Sequence, residues 1–284
     1  MAPASARRNF NGFNMKPSFH PAKLRKTVVE MAFAGNAVHL GCAFSIVELL
    51  SRLYSRHMRY DETTPDDPAR DYLVLSKGHG VMAQYACLYE LGWLGRKDID
   101  NYFHDGSRLK GLSDAHVPGC EVTAGTLGHG LSVGVGLALA AARKKTGQKC
   151  YAVVGDGEMN EGPIWEAMLF AAHAKLDNLM VIVDANGFQA MGTTDEVMQL
   201  GDLCAKFSAF DFDTQQVDGH DLDAISAAIE GLEARKNGRP KALMAKTVKG
   251  KGVSYMENVN AWHYSRLNPD LYAQALRELE GTTP

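Results

Sequence analysis

The sequence lacks the features that mark several large classes of protein. Its five cysteines are scattered, odd in number and form no Cys-X-X-Cys pair, so a disulfide framework or a structural zinc site is not expected and a reducing compartment is favoured. The longest stretch of low polarity, residues 131–142, is too short for a membrane span. Aspartate and glutamate number 33 against 30 lysines and arginines, so the basic excess typical of nucleic-acid-binding domains is missing.

The amino terminus also lacks the pattern of a signal peptide. Residues 1–17 contain two arginines but no apolar core behind them, whereas a secretory signal requires such a core. We therefore expect residues 1–18 to form a flexible tail, residues 19–284 to form one domain, and the protein to be cytoplasmic.

Long amphipathic runs and short buried runs alternate along the rest of the chain. The first kind predicts helices and the second predicts strands, and together they predict an α/β fold in which helices cover both faces of a parallel sheet. The predicted helices cover residues 21–34, 44–54, 81–91, 162–176, 221–234 and 267–279. The predicted strands cover residues 71–76, 151–154, 179–184, 212–217 and 242–247.

Polar residues follow two of these strands, which a helix connects. Asp156 lies between Gly155 and Gly157 after one strand, and Asn186 follows the next. The carboxyl ends of parallel strands share one edge of the sheet, so the carboxylate and the amide should converge. Oxygen ligands of this kind suit Mg²⁺ or Ca²⁺, and the glycines allow a phosphate to approach the backbone. The alternative is a turn with a pair of glycines and a capping aspartate.

The residues around Asp156 and Asn186 resemble the motif of a known protein family. GDGEMNEG, followed after about thirty residues by VDANGF, closely resembles the diphosphate and metal motif of enzymes that use thiamine diphosphate. Together with LSKGHG and the KGKGV…WH pair, residues 21–264 resemble the amino-terminal, diphosphate-binding domain of transketolase. The resemblance implies the thiamine-diphosphate-binding fold and a Mg²⁺ ion, or Ca²⁺ or Mn²⁺ in its place. It implies that Asp156, the Asn186 side chain and the Phe188 carbonyl bind this metal, and that Gly155 and Gly157 lie at the diphosphate.

Four histidines lie in motifs that resemble transketolase motifs in the same chain order. They are His39 in GNAVHLG, His79 in LSKGHG, His116 in SDAHVPG and His263 near the end of the match. Any one of them alone would more often be structural, but a polyhydroxylated substrate needs groups that exchange protons near neutral pH. The resemblance implies that His79 and His263 lie near the cofactor diphosphate. It assigns His39, His116 and His263 as catalytic residues that face the sugar hydroxyls and the reacting oxygen.

One further loop and one acidic residue are implied to contact the cofactor. The loop formed by Gly125, Thr126 and Leu127 resembles the family loop GPLGQG, although this chain has His129 where the family usually has glutamine. Glu161 begins the helix after the metal motif, where the helix dipole alone would favour an acid. The resemblance implies that it also lies near the cofactor and the partner chain.

A short basic cluster follows the last predicted strand. Lys246, Lys249 and Lys251 could favour a phosphorylated ligand, but we interpret them as a solvated surface.

The length of the chain suggests a missing half. Complete transketolases are more than twice as long, and their later domains bind the aminopyrimidine ring of the cofactor. We therefore expect a separate carboxy-terminal transketolase subunit, the pyrimidine-binding half, in an α2β2 complex. The helix predicted over residues 131–142 is rich in glycine and alanine and could pack at this interface, or it could be an ordinary core helix.

The function implied by the resemblance is transfer of a two-carbon ketol unit. The donor would be a ketose or a ketose phosphate, and the acceptor an aldose or another aldehyde. Two alternatives stay open at this point: the α subunit of a 2-oxo acid dehydrogenase, and a non-catalytic module that keeps the fold. The single-chain enzyme deoxyxylulose phosphate synthase is disfavoured by the length.

Overall fold

A five-stranded parallel sheet forms the centre of the computed structural model, which describes residues 17–281. The strands of the protein are β1 (Tyr72–Leu75), β2 (Cys150–Gly155), β3 (Leu179–Ala185), β4 (Phe188–Gln189), β5 (Gly192–Thr193), β6 (Asp213–Asp218) and β7 (Lys241–Lys246). The order in the central sheet is β1-β2-β3-β7-β6, and β4 and β5 form a separate two-residue hairpin. The carboxyl ends of β2 and β3 are in register, because Gly155 pairs with Asp184.

Eleven α-helices surround these strands in residues 17–281. They are α1 (Pro21–Ala34), α2 (Leu40–Phe44), α3 (Val47–Arg52), α4 (Val81–Glu90), α5 (Arg96–Asp100), α6 (His129–Lys144), α7 (Gly162–His173), α8 (Thr194–Val197), α9 (Leu203–Ala209), α10 (Leu222–Glu233) and α11 (Pro269–Glu280).

Helices cover both faces of the sheet. Along β2 the side chains alternate: Tyr151 and Val153 belong to one buried apolar cluster, and Ala152 and Val154 to the other. The first cluster includes apolar side chains from α1, α4 and α10, and the second includes those from α6, α7 and α9. Continuous apolar runs in the sequence are explained by this double coverage, since a central parallel strand is buried on both sides. The α/β architecture predicted from the sequence is confirmed.

Local signals in the sequence explain where several helices begin and end. Pro21 opens α1, where its missing N–H costs nothing, and the helix ends at Gly35. The Asp221 side chain accepts hydrogen bonds from the amides of Asp223 and Ala224 and so caps α10. Asn268 caps α11 in the same way, by accepting from the amide of Leu271.

The helix predicted over residues 44–54 is different in the structure. The chain instead forms α2, a break at Ser45 and Ile46, α3 and a short π-helical turn over Leu53–His57. The helical region starts earlier, at Leu40, directly after His39, which adopts a left-handed conformation (φ 71°). At the break, the Ser45 hydroxyl lies 2.6 Å from a carboxylate oxygen of Asp184 at the end of β3. A tertiary contact therefore decides this segment, and the local pattern does not.

Two features at the periphery bear on the expectations above. The predicted tail, residues 1–18, lies outside the described residues except for Pro17 and Ser18, whose amide donates to Glu90. Within residues 17–281, none of the helices has both the length and the apolar character that crossing a membrane requires.

Candidate active site

Asp156 and Asn186 meet at the paired ends of β2 and β3. The Asp156 carboxylate accepts one hydrogen bond from the amide of Gly157 (2.8 Å) and one from the amide of Gly187 (2.6 Å), directly after Asn186. Only glycine fits at position 157, because a Cβ there would lie 2.7 Å from Cβ of Gln189. The structure thus brings together the acid, the amide and a partly buried glycine backbone.

The Asn186 amide is held in one orientation by its neighbours. Its Nδ2 donates to Asp184 (2.9 Å), and its Oδ1 accepts from the amide of Phe188 (3.0 Å). The amide of Thr194 donates to the carbonyl of Gly187 (2.9 Å), and the next residues along the hairpin, Phe188 and Thr193, pair with each other. In an antiparallel ladder this pattern makes Phe188 and Thr193 a non-hydrogen-bonded pair. The Phe188 carbonyl therefore takes no part in the hairpin ladder and can accept from, or bind, something else.

Asp184 is the buried anion that organises this edge of the sheet. Its side chain is fully buried and accepts hydrogen bonds from Lys77, Ser45 (2.6 Å), Asn186 (2.9 Å) and Thr247. Burial alone would raise the pKa of this carboxyl, but the charge and the hydrogen bond of Lys77 outweigh it and the pKa is lowered. Asp184 is therefore ionised.

Asp156 has the opposite balance. Burial, and then the charge of Asp184, raise the pKa of Asp156 to about 7, although the two backbone amides pull it down. Lys77 offsets the charge of Asp184, but within residues 17–281 no cation forms an ion pair with Asp156. The raised pKa of Asp156 indicates a position at which a bound cation would relieve the repulsion by Asp184.

Glu158 holds the loops around the cavity together. Its carboxylate accepts from the Ser76 hydroxyl (2.5 Å), from the amide of Gly128 (2.8 Å) and from the amide of Gly155 (3.1 Å). These three donors belong to the end of β1, the loop before α6 and the end of β2. A single buried carboxylate thus fixes the position of three segments that line the cavity.

Three histidines that line the same cavity form a triangle. The ring centroids of His39 and His79 and those of His39 and His263 are 5.4 Å apart, and those of His79 and His263 are 5.5 Å apart. His39 keeps its left-handed backbone although it is not glycine, a conformation that is often retained at functional positions.

All three imidazoles are neutral at pH 7. Burial, followed by the charges of Lys249 and His39, lowers the pKa of His263 to about 3. Burial and the charge of Lys77 hold the pKa of His79 well below its usual value, and burial and Lys249 lower that of His39. A neutral imidazole carries one donor and one acceptor. The triangle can therefore bind hydroxyl groups and exchange protons with them.

Lys249 sets which nitrogen of His263 carries the proton. Its Nζ donates to Nδ1 of His263 (3.0 Å) and to Asn260 (3.1 Å). Because Nδ1 accepts, the ring proton lies on Nε2. The expectation that Lys249 belongs to a solvated surface is wrong. The side chain is fully buried, because the loop after β7 packs against α2, and the lysine stem lies next to Gly41.

A cavity of about 330 Å³ connects these groups. Most of the residues predicted from the sequence line it, and these are His39, His79, Gly125, Leu127, Gly155, Asp156, Gly157, Glu161, Asn186, Phe188 and His263. Lys77, Cys42 and Glu158 also line it.

Two predicted residues lie elsewhere. His116 points to solvent, with its side chain 93% exposed and its Nδ1 2.8 Å from Asp114. Thr126 is exposed and does not line the cavity. His129, the departure from the family loop, is the first residue of α6 and is exposed, with Nδ1 3.2 Å from the carbonyl of Leu127. The roles implied for His116 and Thr126 stay predictions.

Three important residues were missed in the sequence. Lys77 and Asp184 are 107 positions apart, and no local spacing connects them. Glu158 stands inside the metal motif itself, where its charge could have been taken for a helix-end preference. The available signal was position: Lys77 and Asp184 each lie at the carboxyl end of a predicted strand, as the recognised residues do.

Comparison with known proteins decides the family. Residues 22–284 match the model of the transketolase, thiamine diphosphate-binding domain. The chain belongs to the transketolase family. Two similar proteins are one of the subunits of the apulose-4-phosphate transketolase of Phocaeicola vulgatus and the 6-deoxy-6-sulfo-D-fructose transketolase subunit SqwG of a Clostridium species. They are 40% and 38% identical to this transketolase chain, each match covers 90% of this chain, and the matches cover 91% and 94% of those proteins.

Solved transketolase structures share the fold but are longer. The transketolase of Campylobacter jejuni superposes with a TM-score of 0.84 at 28% identity, over 94% of this chain and 43% of that one. A transketolase variant from Pichia stipitis gives 0.85 at 26% identity, over 93% of this chain and 41% of that one. This transketolase chain thus spans less than half the length of these solved relatives. The predicted family and the predicted fold are confirmed, and the match identifies the chain as a thiamine diphosphate-binding domain of that family.

Proposed function

We propose that this chain holds the diphosphate end of thiamine diphosphate through a divalent cation bound to Asp156, Asn186 and the Phe188 carbonyl. Mg²⁺ is the expected ion, with Ca²⁺ or Mn²⁺ as substitutes, because the three donors are all oxygens. The observation that carries the proposal is the convergence of Asp156 and Asn186 on a cavity that three neutral histidines also line.

The residues present fit such a group in several independent ways. The orientation of the Asn186 amide leaves Oδ1 on the side of Phe188, as an oxygen ligand requires. Lys77 lines the cavity and has a single recorded acceptor for its ammonium group within residues 17–281, so two of its protons are available to a phosphate. Gly157 lines the cavity, so its backbone faces the space where the diphosphate would lie.

The chemistry divides between the cofactor and the chain. When it is bound, thiamine diphosphate supplies a nucleophilic carbon and an electron sink for cleavage of the bond next to a ketose carbonyl. His79 and His263 would contact the diphosphate end. His39 and His263 would hold the hydroxyl groups of the sugar, and His263 would offer the proton on Nε2. His116 would join them only if its loop moved towards the cavity.

A partner chain would complete the site. Leu169 (65% exposed), Phe170 (47%) and Val133 (40%) are exposed apolar side chains on α6 and α7, which pack on each other. The buried side of α6 faces the sheet, as in a core helix, and its exposed side is available to a partner. Glu161 is exposed and lines the cavity. We propose that a pyrimidine-binding transketolase subunit covers this region in an α2β2 complex, as the subunit names of the similar proteins suggest.

The substrate class follows from the site. A ring of neutral donors and acceptors together with two buried lysines suits a polyhydroxylated ketose, free or phosphorylated, as donor and an aldehyde as acceptor. We place the reaction in the cytoplasm, since the free thiols of Cys42, Cys87, Cys120, Cys150 and Cys204 suit a reducing compartment.

The test is a reconstitution. The chain, its candidate partner and their mixture are assayed with thiamine diphosphate, Mg²⁺, a ketose phosphate and an aldehyde acceptor. We expect ketol transfer only from the mixture. Full activity of this chain alone would contradict the two-chain proposal. Oxidation of a 2-oxo acid with an artificial electron acceptor would favour the 2-oxo acid dehydrogenase alternative, and a mixture that fails to bind the cofactor would indicate a non-catalytic module.

A further inference from the structure

Three side chains with the chemistry of zinc ligands come together where Cys42 adjoins two histidines of the triangle. Cys42, His79 and His263 each offer one ligand atom, and these three atoms lie within 4.8 Å of one another. Cys42 is buried and lines the cavity, and the two histidines are partly buried there. This set of a sulfur and two nitrogens differs from the oxygen set of Asp156, Asn186 and Phe188, and it prefers a different class of metal.

The distance between two of the ligand atoms matches a shared ion. Sγ of Cys42 lies 3.5 Å from Nδ1 of His263. Bonds of about 2.3 Å from zinc to sulfur and about 2.1 Å from zinc to nitrogen, at a tetrahedral angle, put the two ligand atoms about 3.6 Å apart. The separation of this one pair of ligand atoms is therefore close to what zinc would require.

We propose that Cys42, His79 and His263 form a binding site for Zn²⁺ or a similar thiophilic ion, and that occupancy of this site excludes the cofactor and its substrate. Three protein ligands leave the fourth tetrahedral position for water or an anion, which the cavity can supply. On binding, the Cys42 thiol loses one proton to solvent, and the two neutral imidazoles lose none. The ion keeps its oxidation state, so no reductant or oxidant is required.

The charges around the site set its affinity. The new thiolate offsets one positive charge of the ion, and Asp184 already offsets that of Lys77. Lys249 opposes binding, because its Nζ lies 3.0 Å from the same Nδ1 of His263 and must give up that hydrogen bond. It keeps its hydrogen bond to Asn260 (3.1 Å). The ion therefore competes with a hydrogen bond of Lys249, and its affinity should rise with pH because the Cys42 thiol must release its proton.

The inhibitory consequence rests on the proposed function, whereas metal binding itself does not. His79 and His263 are the two histidines that we assign to the diphosphate end of the cofactor. If zinc takes them, they are lost to the cofactor. Metal binding and cofactor exclusion can be measured separately, so failure of one is distinguishable from failure of the other.

Cobalt is the probe for the site itself. Co²⁺ is titrated into the full chain without cofactor, and the absorption band of a thiolate bound to cobalt is recorded. We expect one Co²⁺ per chain with this band, and its loss when Zn²⁺ is added. Cys42→Ser keeps nearly the same volume and should abolish the band and weaken metal binding at least about tenfold. Cys204→Ser changes the one cysteine that is not buried and serves as the matched control, which should keep the band.

Two results would overturn the site. One is a wild-type chain without a thiolate band, and the other is a Cys42→Ser variant that keeps it. His263→Gln is a second variant, with folding checked by a thermal melt, and it should also weaken cobalt binding. For the inhibitory part, thiamine diphosphate with Mg²⁺ should displace the cobalt. A cobalt band that persists at saturating cofactor would overturn competition between the two ligands while leaving the metal site intact.

Discussion

Two buried lysine–aspartate pairs lie at opposite ends of the same sheet, and they are used differently. At the amino end, Nζ of Lys241 donates to Asp213 (3.0 Å), to Asn237 (3.1 Å) and to the carbonyl of Arg239 (2.7 Å). At the carboxyl end, Nζ of Lys77 has Asp184 as its single recorded acceptor within residues 17–281. Both lysines are 1% exposed.

The difference separates a structural charge from a functional one. An ammonium group has three donors, and a buried one is stable when all three are used. Lys241 is satisfied by its own loop, so its pair serves the fold. Lys77 lines the cavity with donors to spare, so a ligand can complete its hydrogen bonds. The position of a buried charge is therefore less informative than the number of acceptors that its own chain supplies.

The largest effect should come from breaking the Lys77–Asp184 pair, because Lys77 has no second acceptor among the described residues. In Asp184→Asn, Lys77 loses the one anion that it contacts among the described residues, and the free energy of unfolding should fall by about 3–5 kcal/mol. In the matched variant Asp213→Asn, Lys241 keeps two other acceptors, and the loss should be about 1–3 kcal/mol. Urea unfolding of both variants measures the difference. Equal losses of stability, or a larger loss for Asp213→Asn, would contradict the difference that we infer between the two pairs.

A third buried ion pair, formed by Arg25 and Glu48, predicts how the stability of the protein depends on acidic pH. Glu48 accepts from Arg25 (2.6 and 2.8 Å) and lies 2.9 Å from Nδ1 of His220. Burial would raise the pKa of Glu48, but its hydrogen bond with His220 and the charge of Arg25 outweigh burial and lower the pKa to about 2. The folded pKa is below the unfolded value, so the stabilisation is present above about pH 4.5 and is lost as the pH falls towards 2.

The expected size of this acid effect is about 3 kcal/mol. Thermal melts of the wild type should lose this much more stability between about pH 5 and pH 2 than those of Glu48→Gln, which has no carboxyl group to protonate. The variant should be less stable at pH 7, where the wild-type ion pair is intact. Parallel loss of stability with acid in both proteins would show that Glu48 is not responsible.

The next effect concerns binding and spares the fold. Asp156→Ala removes a proposed metal ligand, and the Mg²⁺-dependent affinity for thiamine diphosphate should fall about 100-fold or more, which is about 2.7 kcal/mol. The apo protein should lose little stability, because the lost carboxylate lies in an unfavourable environment. Calorimetry with Asp177→Ala as a surface control measures both. Wild-type affinity in Asp156→Ala would rule out the assigned metal site.

The smallest effect tests the other buried lysine of the site. Lys249→Met keeps the apolar stem and removes the hydrogen bond to Nδ1 of His263, so the ring is free to adopt the other tautomer. The turnover of the reconstituted enzyme should fall about tenfold, with a smaller change in cofactor affinity and a shifted pH profile. Lys251→Met, two positions away on a partly exposed side chain, should behave like the wild type. Equal effects of the two substitutions would argue against the positioning role.

Part of the fold and part of the candidate site could be predicted from the sequence. The strands β2 and β3 are continuous apolar runs, and the rule that parallel strands end at one edge was enough to bring Asp156 and Asn186 together. The histidine contexts were recognised by their resemblance to a family. The local sequence was sufficient to predict those features that depend on residues close together in the chain.

The remaining features depend on contacts between distant segments. The Lys77–Asp184 pair connects the ends of two strands that are not neighbours in the sheet, and no periodicity predicts it. Lys249 was misinterpreted because three lysines in six residues are typical of a surface, and only the folded loop buries the middle one. The break at Ser45 interrupts a helix whose local pattern is continuous, because the Ser45 hydroxyl is within reach of Asp184. The partner of a buried charge can therefore be identified only in the folded structure.

The most direct test of the proposed cofactor site is a crystal structure of this chain with its partner, grown with thiamine diphosphate and Mn²⁺. We predict an anomalous peak for manganese in contact with the Asp156 carboxylate, Oδ1 of Asn186 and the Phe188 carbonyl, with the diphosphate beside it. A cofactor bound without manganese at these oxygens, or manganese bound elsewhere in the cavity, would contradict the assignment.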